Sequence, residues 1–185
     1  ALTGALGVSQ ATAGQRVAGK TLNISLDQAD MKTLDPSRQF EFAAAFICLN
    51  TYDSLLKSKS PAELTAYTPV LATSWDISKD GKEYTFKLRP NVKFASGNPL
   101  TAEDVRFTFT RLKNLKGNAS WQMDPLKEVQ VVDPMTVKTI LNEPNGDWLA
   151  ILSGQNGAII DAKLAKEHGA SDSPTADKDD KAAKA

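Results

Sequence analysis

The chain has 185 residues, 41% of them apolar, with 22 basic side chains against 22 acidic ones. That length can bury a core of ordinary size, and the balanced charge supplies no field for nucleic acid or an anionic membrane. No apolar run approaches the roughly 20 residues that span a bilayer, and a single cysteine, Cys48, excludes an intrachain disulfide and a cysteine metal cluster.

The first fifteen residues, ALTGALGVSQATAGQ, are small, uncharged and weakly apolar, and Ala11-Thr12-Ala13 matches the A-x-A pattern of a signal-peptidase site. Residues 1–20 therefore read as a residual signal peptide and leader, cleaved after Ala13, or else as a flexible Ala/Gly/Ser leader. In TLNISL, residues 21–26, Leu22, Ile24 and Leu26 alternate with polar positions, which predicts a half-buried strand. Asp35-Pro36 breaks the chain before a buried helix over FAAAFICLNTYDSLL, whose inner face is expected to carry Phe42, Phe46, Leu49 and Leu56. Cys48, in the apolar setting AAFICLN, is expected to be a buried and inert thiol. Residues 57–69, with two prolines and no period, are expected to form a surface loop.

A sheet follows. ATSWDIS and EYTFKLR flank Lys79-Asp80-Gly81-Lys82, and a D-G pair between alternating runs signals a hairpin. Tyr84, Phe86 and Leu88 fall on one side of the second strand, with Thr85, Lys87 and Arg89 on the other. GNPLTAEDVRFTFTRL, residues 97–112, then reads as a turn, a helix start and an amphipathic helix. Thr101 is the cap, Glu103 and Asp104 place negative charge over the first turn, and Asp104 stands where a capping box carries Glu or Gln. Val105, Phe109 and Leu112 recur at helical spacing, with Arg106, Arg111 and Lys113 predicted to face elsewhere. VQVV, Asp133-Pro134 and TVKTIL form a second strand-turn-strand unit. DWLAIL is a short helix, GAIID a strand or connector, and AKLAKEHG a helix stopped by Gly169. The end, ASDSPTADKDDKAAKA, is polar and low in complexity, which predicts loop or disorder.

Reactive motifs are missing from this pattern. The sequence holds no phosphate-binding glycine loop, no H-E-x-x-H and no G-x-S-x-G. His168 is the sole histidine and lies at a lysine-rich helix end, where a cation is favoured anyway, so it offers neither a metal site nor a general base. Enzymatic activity is not expected, and neither is a cofactor or a bound metal.

The order of punctuated segments carries the positive signal. LDPSRQFE, then NTYDSLL, then PVLATSWDISKDGKEYTFKLRPNVKFASGNPLTAEDVRFTFTRL, then VVDPMTVKTILNEP resembles the N-terminal part of the bacterial extracellular solute-binding proteins of the oligopeptide, dipeptide and nickel type, family 5, which serve ABC importers. The resemblance covers about residues 21 to 170. It implies an α/β fold, lobe I of a periplasmic-binding-protein-like receptor with an inserted β-rich subdomain, and the second lobe missing from this sequence. On that reading residues 21–56 start lobe I, 57–155 form the inserted subdomain, 156–170 return to lobe I and 171–185 are a polar tail.

The function implied is a periplasmic, exported receptor that captures a peptide or peptide-like solute and delivers it to an ABC importer permease, together with the remaining C-terminal part of the same receptor. Non-peptide solutes such as an opine, a sugar or a nickel chelate, and a role as a ligand-sensing or interaction module, are the alternatives. In peptide-binding relatives the extended stretch after L-D-P lines the cleft, so QFEF, residues 39–42, is the implied ligand wall, with Phe40, Glu41 and Phe42 as its contact residues and Trp121 a further aromatic near the ligand. The competing assignment makes Phe40 and Phe42 core residues at the start of the helix and leaves Glu41 merely solvated.

Overall fold

The computed structural model describes residues 29, 31–60 and 63–182. The leader with its cleavage site and the predicted strand at 21–26 lie outside the described residues.

Alternation builds the centre. Strands β3 (Ala72–Ile77) and β4 (Glu83–Leu88) pair antiparallel, with Trp75 opposite Phe86 and Ile77 opposite Tyr84. Their turn needs a residue at positive φ, and Gly81 supplies it at φ 69°. The Asp80 carboxylate accepts from the Ser78 hydroxyl at 2.5 Å and from the Lys82 N–H at 3.2 Å, which locks the loop. Strands β5 (Leu126–Asp133) and β6 (Thr136–Leu141) form the second hairpin, and β6 pairs with β4, giving a four-stranded sheet in the order β3-β4-β6-β5. Tyr84, Phe86 and Leu88 are buried as the period-2 pattern requires.

Helix α2 (Ala102–Asn114) covers that face, and Val105, Phe109 and Leu112 join Phe86, Val137 and Leu141 in the main core. Each such fully buried apolar side chain contributes roughly 1.5–3 kcal/mol. Asp104 does the work of the capping-box acceptor: its carboxylate accepts from the Thr101 N–H at 2.8 Å and from the Thr101 hydroxyl at 2.9 Å. The opposite side of α2 is also covered. Phe107 packs with Ala162 and Ala170, the Asp104 carboxylate accepts from the Ala162 N–H at 2.9 Å, and the Thr108 hydroxyl receives the Ile160 N–H at 3.2 Å. Arg111, predicted to face elsewhere, is therefore buried rather than solvated, at 1% exposure. Val105, Phe109 and Leu112 face the core and Arg106 and Lys113 stay partly exposed as expected, but for Arg111 the expectation failed because a second layer, contributed by residues far along the chain, lies on the helix's outer face.

Three further expectations are corrected. Residues 57–69 are not a loop: β1 (Leu56–Ser60) and β2 (Glu63–Pro69) make an antiparallel hairpin with Leu56 opposite Pro69 and Ser58 opposite Tyr67. Polar residues at consecutive β1 positions are exposed, so no alternation marks that strand although its backbone is paired. Helix α1 (Phe42–Thr51) ends before Leu56 and buries Ala43, Ala44, Ala45 and Cys48, while Phe42 is 81% and Leu49 49% exposed. The helix is apolar nearly all round, so the sequence selects no face, and its small residues permit a close approach to the short 3-10 helix Gln155–Gly157. A Cβ at Gly157 would stand 2.0 Å from the Leu152 carbonyl oxygen, so that connection accepts only glycine. The polar tail, where loop or disorder was expected, carries a short helix α5 (Ala176–Asp179) and a fully buried Asp180.

The expectations for residues 147–169 hold. DWLAIL falls in α3 (Trp148–Ser153), whose Trp148 indole N–H donates to the Thr139 hydroxyl at 2.9 Å inside the core. Residues of GAIID connect, with one bridge from Ala158 to Ser54. Helix α4 (Ala162–Glu167) stops before Gly169 at φ 86°.

Candidate functional site

The segment 34–41 is assembled by its own polar atoms. The Asp35 backbone carbonyl accepts the N–H groups of Arg38 and Gln39, both at 2.9 Å, and the Asp35 carboxylate accepts the Ser37 N–H at 2.9 Å. From across the chain the Asn156 amide donates to the carbonyls of Pro36 at 2.9 Å and Gln39 at 3.3 Å. Gln39, expected in the wall with the rest of residues 39–42, is thereby turned inward and fully buried, and the next residue, Phe40, is turned out.

Phe40 is 45% exposed and meets Trp121, itself 59% exposed, edge to face, with ring centroids 6.4 Å apart and planes at 77°. That is a favourable aromatic arrangement, worth about 0.5–1.5 kcal/mol beyond area. Trp121 is carried by a 3-10 helix, Ser120–Met123, just past α2. The structure thus brings together two of the four sequence-predicted residues, 81 positions apart in the chain. Glu41 stands at the N-cap position of α1 without a side-chain bond to the helix, its carboxylate instead accepting the Phe40 N–H at 3.1 Å, and Phe42 opens that helix almost fully solvated. Neither phenylalanine is a core residue. The face of α1 that was predicted to be buried, Phe42 and Leu49 with the half-buried Phe46, adds to an exposed apolar surface.

Behind this surface lies a group that sequence reading missed. The Arg111 guanidinium grips Asp35 through two hydrogen bonds, 2.9 and 2.6 Å, and Asp180 through a third of 2.6 Å. Burial works against its charge, but the two carboxylates outweigh that and push its pKa above the ordinary arginine value. Cys48 is buried as expected. Burial, with the Asp35 charge second, raises its thiol pKa, and the thiol points to the Leu34 carbonyl at 3.5 Å. Such a thiol is a poor nucleophile.

A cavity of about 580 Å³ opens beside Leu34, Tyr52, Phe94, Ile159 and His168. None of the four predicted residues lines it, and the charged groups on its wall, Asp35, Arg111 and Asp161, are bonded to protein. Asp161 caps α4, accepting the Leu164 N–H at 3.0 Å, the Ser96 hydroxyl at 2.5 Å and the Asn98 amide at 2.8 Å. Burial would raise its pKa, yet these donors hold it below the usual aspartate value. Among the described residues no cluster of three His, Cys, Asp or Glu side chains could hold a metal ion, and no helix is long and apolar enough to cross a membrane. Among the described residues the arrangement offers surfaces for contact, and the one thiol, Cys48, is buried with its pKa raised.

Residues 66–184 match the profile of bacterial extracellular solute-binding proteins, family 5, middle region. The chain belongs to that family. Among its relatives, the probable D,D-dipeptide-binding periplasmic protein DdpA of Escherichia coli is 34% identical over 146 residues, which is 78% of this chain and 28% of that protein. Two solved structures share the fold. MoaA of Agrobacterium tumefaciens R10, in complex with mannopinic acid, aligns at a TM-score of 0.69 and 32% identity over 74% of this chain and 29% of its own. The periplasmic binding protein DppA of Helicobacter pylori, in complex with the peptide STSA, aligns at 0.61 and 29% identity over 72% and 30%. This family 5 chain therefore has the mixed α/β fold of periplasmic binding proteins and spans under a third of the length of these relatives.

Proposed function

We propose that this chain is the N-terminal part of a periplasmic receptor that captures a peptide or peptide-like solute and delivers it to an ABC importer permease, without catalysing a reaction on it. In this reading Phe40, Glu41, Phe42 and Trp121 form one wall of the ligand cleft, and the remaining C-terminal part of the receptor supplies the other. The observation that carries the reading is the exposed Phe40–Trp121 pair beside a solvated Phe42, in a domain whose Phe86, Phe107 and Phe109 are all fully buried. Aromatic rings held at the surface by a rigid turn are contact groups waiting for a partner. The Glu41 carboxylate beside them suits a ligand amine.

The family and the peptide-named relatives support the solute class, and the division into lobe I (21–56 and 156–170), inserted subdomain (57–155), leader and tail belongs to the same reading. One observation favours a second solute: MoaA was solved with mannopinic acid, so an opine is the alternative cargo. Calorimetry on the full-length receptor with the dipeptide Ala-Phe and with mannopinic acid tests both. Binding of the dipeptide to the full-length protein, with little or none to residues 1–185 alone, is the expected result. Binding of neither compound, or equal affinity in the isolated chain, would refute the reading.

A further inference from the structure

We infer that Arg111 is a positioning residue for the ligand wall, holding the 35–39 turn through Asp35 so that Phe40 meets Trp121 edge-on. This inference rests on the proposal that those two rings belong to the wall.

The geometry leads there in three steps. First, the guanidinium fork is planar, and its two bonds to Asp35 fix the orientation of that carboxylate as well as its position. The same carboxylate receives the Ser37 N–H, and the Asp35 carbonyl receives two more, so the orientation of Asp35 sets the path of the whole turn. Second, the turn hands its geometry directly to Phe40, because Gln39 is fully buried and its carbonyl is tied to Asn156. Third, Trp121 is fixed to the same helix. The Ser120 hydroxyl donates to the Leu112 carbonyl at 2.6 Å and receives the Gly117 N–H at 2.8 Å, so the 3-10 helix carrying Trp121 hangs from the last turn of α2. Arg111 and Leu112 are neighbours in the chain. One grips the turn that presents Phe40 and the other holds the element that presents Trp121, making α2 the common beam for the two halves of the pair.

A buried ion triad is weak evidence of net stability, since its desolvation cost offsets much of its attraction. Directional geometry is what it supplies over an apolar substitute. Asp180 completes the triad, accepting from the guanidinium Nε–H at 2.6 Å and from the Ser171 N–H at 3.0 Å.

The test needs no ligand, so its failure is separable from failure of the binding reading. The full-length receptor is labelled with 5-fluorotryptophan, and the Trp121 resonance is assigned by its loss in Trp121→Phe. Phe40→Ala defines the shift caused by losing the neighbouring ring. In Arg111→Lys and Asp35→Asn the Trp121 resonance should move most of the way to its position in Phe40→Ala, while those of Trp75 and Trp148 stay in place. Asp180→Asn, which keeps both bonds between Arg111 and Asp35, should lower the unfolding temperature and shift the Trp121 resonance less than Arg111→Lys does. An unmoved Trp121 in Arg111→Lys, or a common shift of Trp75, Trp121 and Trp148, would overturn the assignment. So would an Asp180→Asn shift as large as that of Arg111→Lys. Should Arg111→Lys fail to fold, Asp35→Asn decides alone by the same criterion.

Discussion

Replacing Phe42 by alanine separates a ligand contact from a core residue. The ring is 81% exposed, so only about a fifth of its burial free energy is realised in the folded chain. With roughly 1.5–3 kcal/mol for a fully buried side chain, the loss of stability is about 0.3–0.6 kcal/mol. The better helix propensity of alanine at this position returns a few tenths of that. A ligand that covered the exposed part of the ring would lose about 1.2–2.4 kcal/mol in the variant, or roughly 8- to 60-fold in affinity. Phe86→Ala is the contrast: that ring is fully buried opposite Trp75 and Val137, and its removal should cost about 3–5 kcal/mol. Urea denaturation of both variants, beside calorimetry with Ala-Phe on the full-length receptor, makes the comparison. A loss of 3 kcal/mol or more in Phe42→Ala would show that the ring packs inside, and unchanged affinity would remove it from the cleft.

Two more outcomes follow from the core and the caps. Thr139→Val leaves the fully buried Trp148 indole N–H without its acceptor and should cost about 1–3 kcal/mol, whereas Trp148→Phe combined with Thr139→Val should show a favourable coupling, because both polar partners are gone; additive losses in a denaturant-based double-mutant cycle would refute the bond. Asp161, whose pKa is depressed in the fold, contributes stability that is fully present above the unfolded aspartate pKa of about 3.9 and is lost as pH falls through the folded value. Asp161→Asn should therefore cost roughly 1–2 kcal/mol at pH 7 and flatten the acid limb of the stability–pH curve, read by urea midpoints from pH 7 to 3; an unchanged acid limb would contradict the assignment.

The pattern of these sites divides by range of interaction. Hairpin β3–β4, hairpin β5–β6 and the start of α2 were legible in the chain because their determinants lie within a few residues: alternation at 83–88, Gly81 at positive φ, Asp104 closing on Thr101. The segments LDPSRQFE and TAEDVRFTFTRL likewise carried the family, since local punctuation survives without knowledge of what packs on it. The burial of Arg111 was not legible, because its partners Asp35 and Asp180 stand 76 and 69 residues away and a charged residue on a helix reads as solvated. The tail read as loop or disorder for the same reason: its apolar content is low, and its anchors lie on α2 and its end, where Asp172 meets Arg106, Ala176 packs on Leu115 and the buried Asp180 meets Arg111. Helix α1 shows the other limit. A segment apolar on nearly every side fixes helix formation but no orientation, and the small side chains of Ala43, Ala44, Ala45 and Cys48 won the interior because they let backbones approach closely. That choice, made by packing against residues 155–157, is what leaves Phe42 in water and sets the aromatic surface on which the proposed function rests.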